Sequence, residues 1–286
     1  MKKKSGKFSV VKASGERELF DEEKVRNSIR RAGIPLEVED QILEHVNSDL
    51  YDNIPTKKIY QNVLGFLKQS SYSQGEAKYS LKQAIMSLGP SGYPFENYLA
   101  EILKKRGYTT KTGLIVEGRC TSHEIDVLAE KKQLRLFVEC KFHNRPGLKT
   151  DIKVALYVRA RFDDIAAALQ GEPDVLKKFN QPWLATNTKF TRRTIRYGKC
   201  AGLSLLGWNY PKGDSLRDWV EKAGLYPLTC LRSLSRSQKA KLLEEDIVLC
   251  QDLLKGNSRR FRGFGFSFDL IKEMISEASL VCGSEK

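Results

Sequence analysis

The sequence lacks the motifs that mark several large classes of protein. Its six cysteines are widely spaced, so no Cys-x-x-Cys pair predicts a zinc ribbon or a redox motif, and we interpret them as reduced thiols. No apolar run approaches the roughly 18 residues of a membrane span, and neither a Walker A sequence nor a Gly-x-Ser-x-Gly motif occurs. These absences disfavour a membrane protein, a P-loop enzyme and a serine hydrolase. We expect a cytoplasmic protein with no membrane partner.

Negative charge is also scarce. The 286 residues include 49 Lys and Arg against 35 Asp and Glu, a net charge of +14. Residues 1–93 carry 15 basic and 12 acidic side chains, which leaves +11 for residues 94–286. An excess of this size favours a polyanionic partner, with nucleic acid first, although a solvated basic surface or a ribosomal contact would have the same composition. We therefore expect the polyanion-binding surface in the later part of the chain.

The first ninety residues predict a small mixed domain. Residues 8–20 predict a β-hairpin, since two short alternating segments flank the turn Ala13-Ser14-Gly15. Asp21 is a predicted N-cap, and the two glutamates after it favour the dipole of a first helix. The turn-rich segment Ser91–Pro94 is the predicted domain boundary. Apolar periodicity predicts three further helices, at 36–50, 56–70 and 76–88.

The pattern changes after residue 93. A predicted helix from Phe95 to Arg106 precedes strands, and a helical segment at 149–169 separates them into two groups. Helices and strands in this order are typical of an α/β core. From Asp214 the chain is predicted to be helical to about Leu254. The predicted strands of the core are 114–117, 124–129, 134–142, 183–186 and 202–206.

Charged side chains interrupt two apolar strands of this core, at Glu124-Ile125-Asp126 and at Glu139-Cys140-Lys141. Since side chains alternate along a strand, Glu139 and Lys141 share a face, and Asp126 can meet them across a hairpin. Charges in such a strand are costly unless they are paired or bind a metal. Two carboxylates suit Mg²⁺ or Mn²⁺, and the lysine can position a water molecule for attack on a phosphate. An ordinary Glu139–Lys141 salt bridge on an exposed strand explains the same residues.

Together with Phe95-Glu96 and Gly107-Tyr108, these segments resemble the Mrr-like branch of the PD-(D/E)xK restriction-endonuclease superfamily, in the expected order. The resemblance implies a Mg²⁺-dependent DNA endonuclease of restriction or repair type. It makes Asp126 and Glu139 the metal ligands and Lys141 the catalytic lysine. It also makes Glu96 the helix-borne acid that completes the metal site or orients the lysine. No proline precedes Asp126, a departure that the superfamily tolerates.

Basic residues follow the motif. Six cations and no acid lie between Trp183 and Gly213, among aromatic residues, which favours a phosphate-binding surface. The loop and helix after Lys141 add further cations within reach of phosphates, Arg159 and Arg161 among them. Each cation, taken singly, is also explained as a solvated surface charge. The predicted DNA contacts are Arg145, Lys149, Lys153, Lys189, Arg192, Arg193 and Arg196.

Four segments of the first domain form a second pattern: Val10–Gly15, Phe20-Asp21 ahead of Lys24, Ile54-Pro55-Thr56 and Ala77-Lys78-Tyr79. They resemble the ATP-cone. This resemblance implies a domain that binds ATP or dATP and regulates the protein to which it is attached. The two lysines of the pattern would meet phosphate oxygens. Ala13 stands where the family usually has Arg, and a cone that only dimerises is an alternative. The implied nucleotide contacts are Val10, Lys12, Glu18, Lys24, Thr56 and Tyr60.

The last part of the chain carries weaker patterns. Residues 225–254 resemble a helix-hairpin-helix module, but Glu244-Glu245-Asp246 replaces the usual hairpin glycines, so we favour a plain helical hairpin. The aromatic and basic run Phe261–Phe266 is interpreted as a flexible tail.

These observations predict an α/β (α+β) protein of three parts. The parts are a small hairpin-plus-four-helix ATP-cone domain at 1–92, a restriction-endonuclease-like catalytic domain at 93–213 and a helical region at 214–286 that is a candidate for DNA contact. The function that fits best is a Mg²⁺- or Mn²⁺-dependent DNA endonuclease regulated by ATP or dATP. The alternative is a nucleotide-responsive DNA-binding regulator with an inactive nuclease fold. Because nucleases that cut both strands commonly use two centres, we expect a homodimer or higher homo-oligomer.

Overall fold

The computed structural model describes residues 8–69, 73–170 and 178–283. In this part of the chain a small N-terminal sheet with helices precedes a five-stranded central sheet and a helical C-terminal region. The predicted mixed α/β fold class is confirmed.

The N-terminal part is a three-stranded sheet covered by helices. The central strand β1 is antiparallel to β2 and parallel to β3. As predicted, Asp21 caps the first helix, because its carboxylate accepts the Glu23 backbone N–H at 3.0 Å. The elements are β1 (Ser9–Val11), β2 (Arg17–Leu19), α1 (Glu22–Arg31), α2 (Leu36–Ser48), β3 (Ile54–Pro55) and α3 (Thr56–Gln69).

The predicted single helix at 76–88 is wrong, since the structure has two, α4 (Ser73–Tyr79) and α5 (Leu81–Met86). The break lies at Ser80, whose hydroxyl donates to the Ala77 carbonyl at 2.9 Å and so competes with the helical backbone. The buried face of α5 belongs to the same hydrophobic cluster as one face of the central sheet. These helices therefore connect the N-terminal part to the core.

The central sheet has the strand order β10-β8-β6-β5-β4. The strands β4, β5 and β6 form an antiparallel meander, and β6, β8 and β10 run parallel. A separate two-stranded parallel sheet joins β7 to β9. The elements are α6 (Tyr93–Lys105), β4 (Thr109–Glu117), β5 (Ser122–Lys131), β6 (Leu134–Lys141), β7 (Lys149–Thr150), α7 (Ile152–Ala168), β8 (Gln181–Thr186), β9 (Lys189–Phe190), α8 (Arg192–Ala201) and β10 (Ser204–Leu206).

Helices cover both faces of the central sheet. Along β6, Val138 lies in the hydrophobic cluster that contains α6, whereas Phe137 lies in the cluster that contains α7. The helix predicted over 149–169 begins only at Ile152, because Asp151 caps it with bonds to two backbone N–H groups and the residues before it form β7. The ends of β6 and β8 and the start of α7 thus lie at one end of the core.

The C-terminal region packs against the α6 face instead of extending from it. The predicted helical stretch from Asp214 to Leu254 is divided, with a short 3-10 turn at Leu228–Cys230. The predicted flexible tail is wrong: Phe261 is fully buried and Phe266 is also in the core, since both side chains join the main hydrophobic cluster. The helices are α9 (Leu216–Ala223), α10 (Arg236–Glu244), α11 (Cys250–Lys255), α12 (Ser258–Gly263) and α13 (Phe268–Cys282).

Candidate active site and nucleic-acid surface

The strands β5 and β6 diverge at the point where the predicted acids lie. Their pairing runs from Lys131↔Leu134 to Val127↔Val138 and goes no further. Beyond it, the Asp126 carboxylate accepts the backbone N–H of Cys140 at 2.6 Å. A side chain thus replaces the next bond of the strand ladder and fixes Asp126 beside the end of β6.

A glycine on the neighbouring strand accompanies this irregularity. Gly113 has φ +62°, and β4 pairs with β5 on either side of it but not between Gly113 and Asp126. A positive φ favours glycine, because a Cβ would be strained there. The kink in β4 therefore leaves the backbone at Asp126 out of the regular sheet on that side as well.

Three predicted acids are close enough to change one another's charge. Burial, together with the charge of Asp126, raises the pKa of Glu139 to about 7. Burial and the charges of Asp126, Glu124 and Glu139 raise the pKa of Glu96 on α6 to about 7. Burial also raises the pKa of Asp126 itself, against the effect of its backbone hydrogen bond. We call Glu96, Asp126 and Glu139 the carboxylate cluster.

Lys141 is the exposed member of the predicted centre, at the last position of β6. It lies two residues after Glu139 on the same strand, and its positive charge opposes the rise in the pKa of Glu139. The hydroxyl of Thr186 donates to the Lys141 carbonyl at 2.7 Å and so fixes the backbone that carries the lysine. The predicted lysine therefore borders the carboxylate cluster on its solvent side.

Arg161 has a different environment from the solvated or phosphate-binding one that the sequence interpretation gave it. It is 8% exposed, and its guanidinium donates to the Glu139 carboxylate and to the Glu124 carbonyl. Ala155, Val158 and Ile165 form the buried stripe of α7, and Arg161 falls on the same helical spacing. That spacing was the signal in the sequence that could have identified it as buried.

The donor set limits how a metal would be held. Mg²⁺ prefers oxygen ligands, keeps several waters and is commonly bound through one or two carboxylates. Asp126 and Glu139 supply such oxygens from adjacent strands, with Glu96 nearby. Among the described residues, no group of three or more His, Cys, Asp or Glu side chains has the arrangement of a complete metal site. A Mg²⁺ ion at this place would therefore be held by the two carboxylates of Asp126 and Glu139.

The loop after Lys141 is tied to the end of β8. The backbone N–H of His143 donates to the Asn187 side chain at 2.9 Å, and the Asn187 amide donates back to the His143 carbonyl at 2.8 Å. Burial and the charge of Lys141 lower the pKa of His143, which is hydrogen-bonded to Thr150 at 3.0 Å. These bonds hold the loop close to the end of the sheet that carries the centre.

The predicted DNA contacts lie on exposed surface next to this loop. Lys149 of β7 pairs in register with Lys189 of β9, and Thr191 then caps α8, so two parts of the chain present cations side by side. All seven predicted contacts are exposed, and in the described part of the chain none of them forms a salt bridge. We call this set the basic face: Arg145, Lys149, Lys153, Lys189, Arg192, Arg193 and Arg196.

Three of the predicted nucleotide contacts form one charged cluster on the N-terminal hairpin. The Glu18 carboxylate lies 2.7 Å from the Lys12 amine and 3.0 Å from the Lys24 amine. The hydrogen bond from Lys12 lowers the pKa of Glu18, and the same bond raises the pKa of Lys12. Two ammonium groups thus converge on one anionic group, which is the arrangement that a phosphate requires.

The other three predicted nucleotide contacts are buried or half-buried. Val10 is 4% exposed in the core of the N-terminal part, and Thr56 is half-buried at the start of α3. Tyr60 stacks on Tyr79, with ring centroids 5.4 Å apart, and its buried hydroxyl has no hydrogen-bond partner in the described structure. Tyr60 therefore packs against α4, one of the two helices that connect to the core.

The turn of the hairpin touches the loop that follows Lys141. Gly147 has φ +88°, and a Cβ on it would lie 2.7 Å from the Ala13 carbonyl carbon and oxygen and 2.9 Å from the Ser14 nitrogen. Only glycine fits so close an approach without displacement of one backbone by the other. The residue after Lys12 is thereby in contact with the loop that follows Lys141, between Arg145 and Lys149 of the basic face.

Two family models match parts of this chain. Residues 8–85 match the ATP cone domain, and residues 226–282 match the family described as AF1548-like, C-terminal. No helix in the described ranges is long and apolar enough to span a membrane. The N-terminal part is thus an ATP-cone domain, which indicates regulation by a bound nucleotide.

A relative and a solved structure cover most of the chain. An uncharacterized protein of Archaeoglobus fulgidus is 38% identical over 185 residues, which are 65% of this chain and all of the relative. The crystal structure of the protein of unknown function AF1548 is 37% identical, covers 68% of this chain and all of its own, and has a TM-score of 0.58. Neither name states an activity. The chain therefore belongs to the AF1548-like family and carries an ATP-cone domain at its N-terminus.

Proposed function

We propose that this protein is a cytoplasmic, Mg²⁺- or Mn²⁺-dependent DNA endonuclease whose Mrr-like centre consists of Glu96, Asp126, Glu139 and Lys141. The observation that carries the proposal is the carboxylate cluster. Three acids lie close together at the ends of two apolar strands, where burial raises all three pKa values and the charges of neighbouring acids add to the rise. Such an arrangement is unfavourable for stability alone and is common in catalytic sites.

Each residue has a role that follows from its position. Asp126 and Glu139 would hold the metal, which when bound stabilises charge on a phosphate and acidifies a water. Lys141, exposed beside them, would orient a water molecule and offset phosphate charge. Glu96, on α6, would complete the ligand set or orient the lysine. Cys140 contributes through its backbone N–H, which holds Asp126 at 2.6 Å.

The basic face supports DNA as the substrate. Its cations are unpaired in the described part of the chain and adjoin the loop that leaves Lys141. Phosphate contacts of this kind position a nucleic acid without reading its sequence. Because a cut in both strands commonly needs two centres, we expect a homodimer or higher homo-oligomer.

The test is cleavage of supercoiled plasmid with Mg²⁺ or Mn²⁺. We expect nicked or linear product from the wild type, and a loss of at least about a hundredfold in rate for Asp126→Asn, Glu139→Gln and Lys141→Ala. Lys111→Ala is the matched control, since Lys111 is an exposed lysine on neighbouring β4. Cleavage that survives all three substitutions would disprove the assigned centre.

Regulation by the ATP-cone is part of the proposal. ATP or dATP would bind at Lys12 and Lys24 in place of Glu18, and the adjoining turn at Ala13 meets Gly147 in the loop after Lys141. A nucleotide that moves this turn therefore acts directly on the loop. Calorimetry should detect ATP or dATP binding that Lys12→Ala weakens and that Lys57→Ala, at an exposed lysine of α3, leaves unchanged. No binding by the wild type would leave the cone as a dimerisation element.

One observation favours the alternative, a nucleotide-responsive DNA-binding regulator with an inactive nuclease fold. The Arg161 guanidinium pairs with Glu139 and so supplies the positive charge that a metal would otherwise supply. The plasmid experiment separates the two functions. DNA binding that responds to ATP or dATP, without cleavage in either metal, would support the regulator and disprove the nuclease.

A further inference from the structure

The solvent-facing side of α7 is apolar beside the candidate centre. Tyr157 is 59% exposed and Leu156 is 46% exposed, and Ala160 is exposed on the next turn. Lys153 lies one turn before Tyr157 on the same side of the helix. Single exposed apolar residues are ordinary, but here three of them adjoin one another and a cation of the basic face.

Two contacts connect the Tyr157 ring to the carboxylate cluster. The guanidinium carbon of Arg161 lies 5.1 Å from the centroid of the Tyr157 ring. The same guanidinium donates to the Glu139 carboxylate. An exposed aromatic ring is therefore separated from a candidate metal ligand by one side chain.

From this arrangement we infer that Tyr157 is a stacking platform for an unpaired nucleobase, so that the substrate is single-stranded or locally unpaired DNA. The inference rests on the proposed nuclease function. Aromatic rings bind bases by stacking, and Arg161 beneath the ring adds a cation–π contact that holds it. Lys153, one turn away and without a salt bridge in the described residues, is available to the phosphate of the same strand.

A regular duplex cannot stack a base on the Tyr157 ring. Its bases are paired and stacked on each other, so their faces are closed to a side chain unless the strand opens. A protein partner would account for the apolar residues, but the cation Lys153 on the same side of the helix favours a polyanion. Flaps, loops and strand ends combine exposed bases with phosphates and match both features.

The experiment measures binding of the full chain in EDTA, so that cleavage does not interfere. The probes are a fluorescein-labelled oligo-dT strand and a duplex of equal length. We expect the wild type to prefer the single strand and Tyr157→Ala to weaken that binding about tenfold, with little effect on the duplex. Tyr157→Phe keeps the ring and should bind like the wild type. Tyr51→Ala is the control, since Tyr51 is 51% exposed in the cone and lies outside α7.

The outcomes are distinguishable from those of the nuclease proposal. Equal loss on both probes, no loss on either, or a preference for duplex would overturn the stacking platform, and the last two would favour a protein partner for this surface. Ring-dependent binding of oligo-dT by a protein that never cleaves would disprove the nuclease and keep the platform. If the protein cleaves plasmid but Tyr157→Ala binds both probes as the wild type does, the nuclease is supported and the stacking platform is disproved.

Discussion

At the scale of single residues, the candidate centre combines acids that repel one another with one buried cation. The pKa values of Glu96 and Glu139 are both raised to about 7, although Arg161 pairs with Glu139. Burial is the largest cause in each case, so the sheet and its covering helices create the effect. Around neutral pH a fraction of these groups holds a proton that a metal ion would have to displace.

Glu96→Gln tests whether Glu96 destabilises the folded protein when its carboxylate is ionised. The raised pKa means that the folded protein keeps a proton between about pH 4.5 and about pH 7, where the unfolded chain has lost it. The stability contributed by Glu96 therefore falls as pH rises through that window. In EDTA we expect Glu96→Gln to raise the free energy of unfolding by about 1 kcal/mol at pH 8 and to change it little near pH 4.5.

Urea unfolding at the two pH values measures this difference. Glu101→Gln, on the same helix but outside the carboxylate cluster, is the control and should lack the pH-dependent gain. A gain of the same size at both pH values would contradict the repulsion argument. Glu96→Gln should also bind Mn²⁺ more weakly than the wild type.

Arg161→Gln should lower the free energy of unfolding, because it leaves the Glu139 carboxylate without its partner. Removal of one partner from a buried ion pair destabilises proteins by about 3 kcal/mol, because the remaining charge loses its compensation. We expect a loss of that order at pH 8 and a partial recovery on addition of Mn²⁺, which would replace the guanidinium charge at Glu139. Arg159→Gln, on the same helix and paired with the exposed Asp163, should lose about 1 kcal/mol or less and gain nothing from metal. Identical metal responses of the two variants would count against a metal site at Glu139.

At the scale of elements, short strands and helix caps bring the basic face together. The β7–β9 pair joins Lys149 to Lys189, and the Thr191 backbone N–H donates to the Thr150 carbonyl at 3.1 Å. The segments on either side of α7 and β8 are thereby held at one end of the core. The arrangement explains how cations some forty residues apart in sequence come to lie side by side.

Arg192→Ala/Arg193→Ala should weaken DNA binding through lost phosphate contacts. Each contact removed is expected to reduce the slope of log affinity against log salt by about 0.9 for duplex DNA, or about 0.7 for a single strand. Fluorescence anisotropy across a salt series measures the slope. Lys57→Ala/Lys58→Ala removes two exposed charges from α3 in the cone and should leave the slope unchanged. Equal effects of the two double variants would indicate general charge attraction instead of a defined surface.

At the scale of the whole molecule, the ATP-cone and the core meet at more than one place. Helix α5 shares the main hydrophobic cluster, Arg31 lies 3.6 Å from Asp218 of α9, and the hairpin turn rests on Gly147. The last contact differs from the others, because it joins the turn next to Lys12 to the loop beside the candidate centre.

Gly147→Ala should uncouple the cone from the centre. A Cβ at this position would approach the Ala13 carbonyl to 2.7 Å, so the turn and the loop must separate. We expect ATP or dATP binding to remain, measured by calorimetry, and the response of cleavage or DNA binding to the nucleotide to fall severalfold. Gly213→Ala is the matched control, since Gly213 has φ +83° but no atom within 4 Å of its Cβ position. If Gly213→Ala has the same effect, backbone strain is the cause and the contact is not.

The sequence alone determined the features that depend on neighbouring residues. Strand alternation gave Glu139 and Lys141 a common strand face, and the short connection between β5 and β6 brought Asp126 to them. The Asp21 cap follows from equally local chemistry, which acts over two or three residues. Such patterns can be recognised without knowledge of the rest of the chain.

The tertiary structure decided what depends on distant parts of the chain. Arg161 is 22 residues from Glu139, and the burial that turns it into a partner exists only once α7 covers the sheet. Phe261 is buried because the C-terminal helices fold back on the α6 face, and Gly147 meets Ala13 because the cone docks on the core. These contacts join segments whose sequences carry no mark of each other. These contacts form only when distant parts of the chain fold together, and local periodicity does not encode that step.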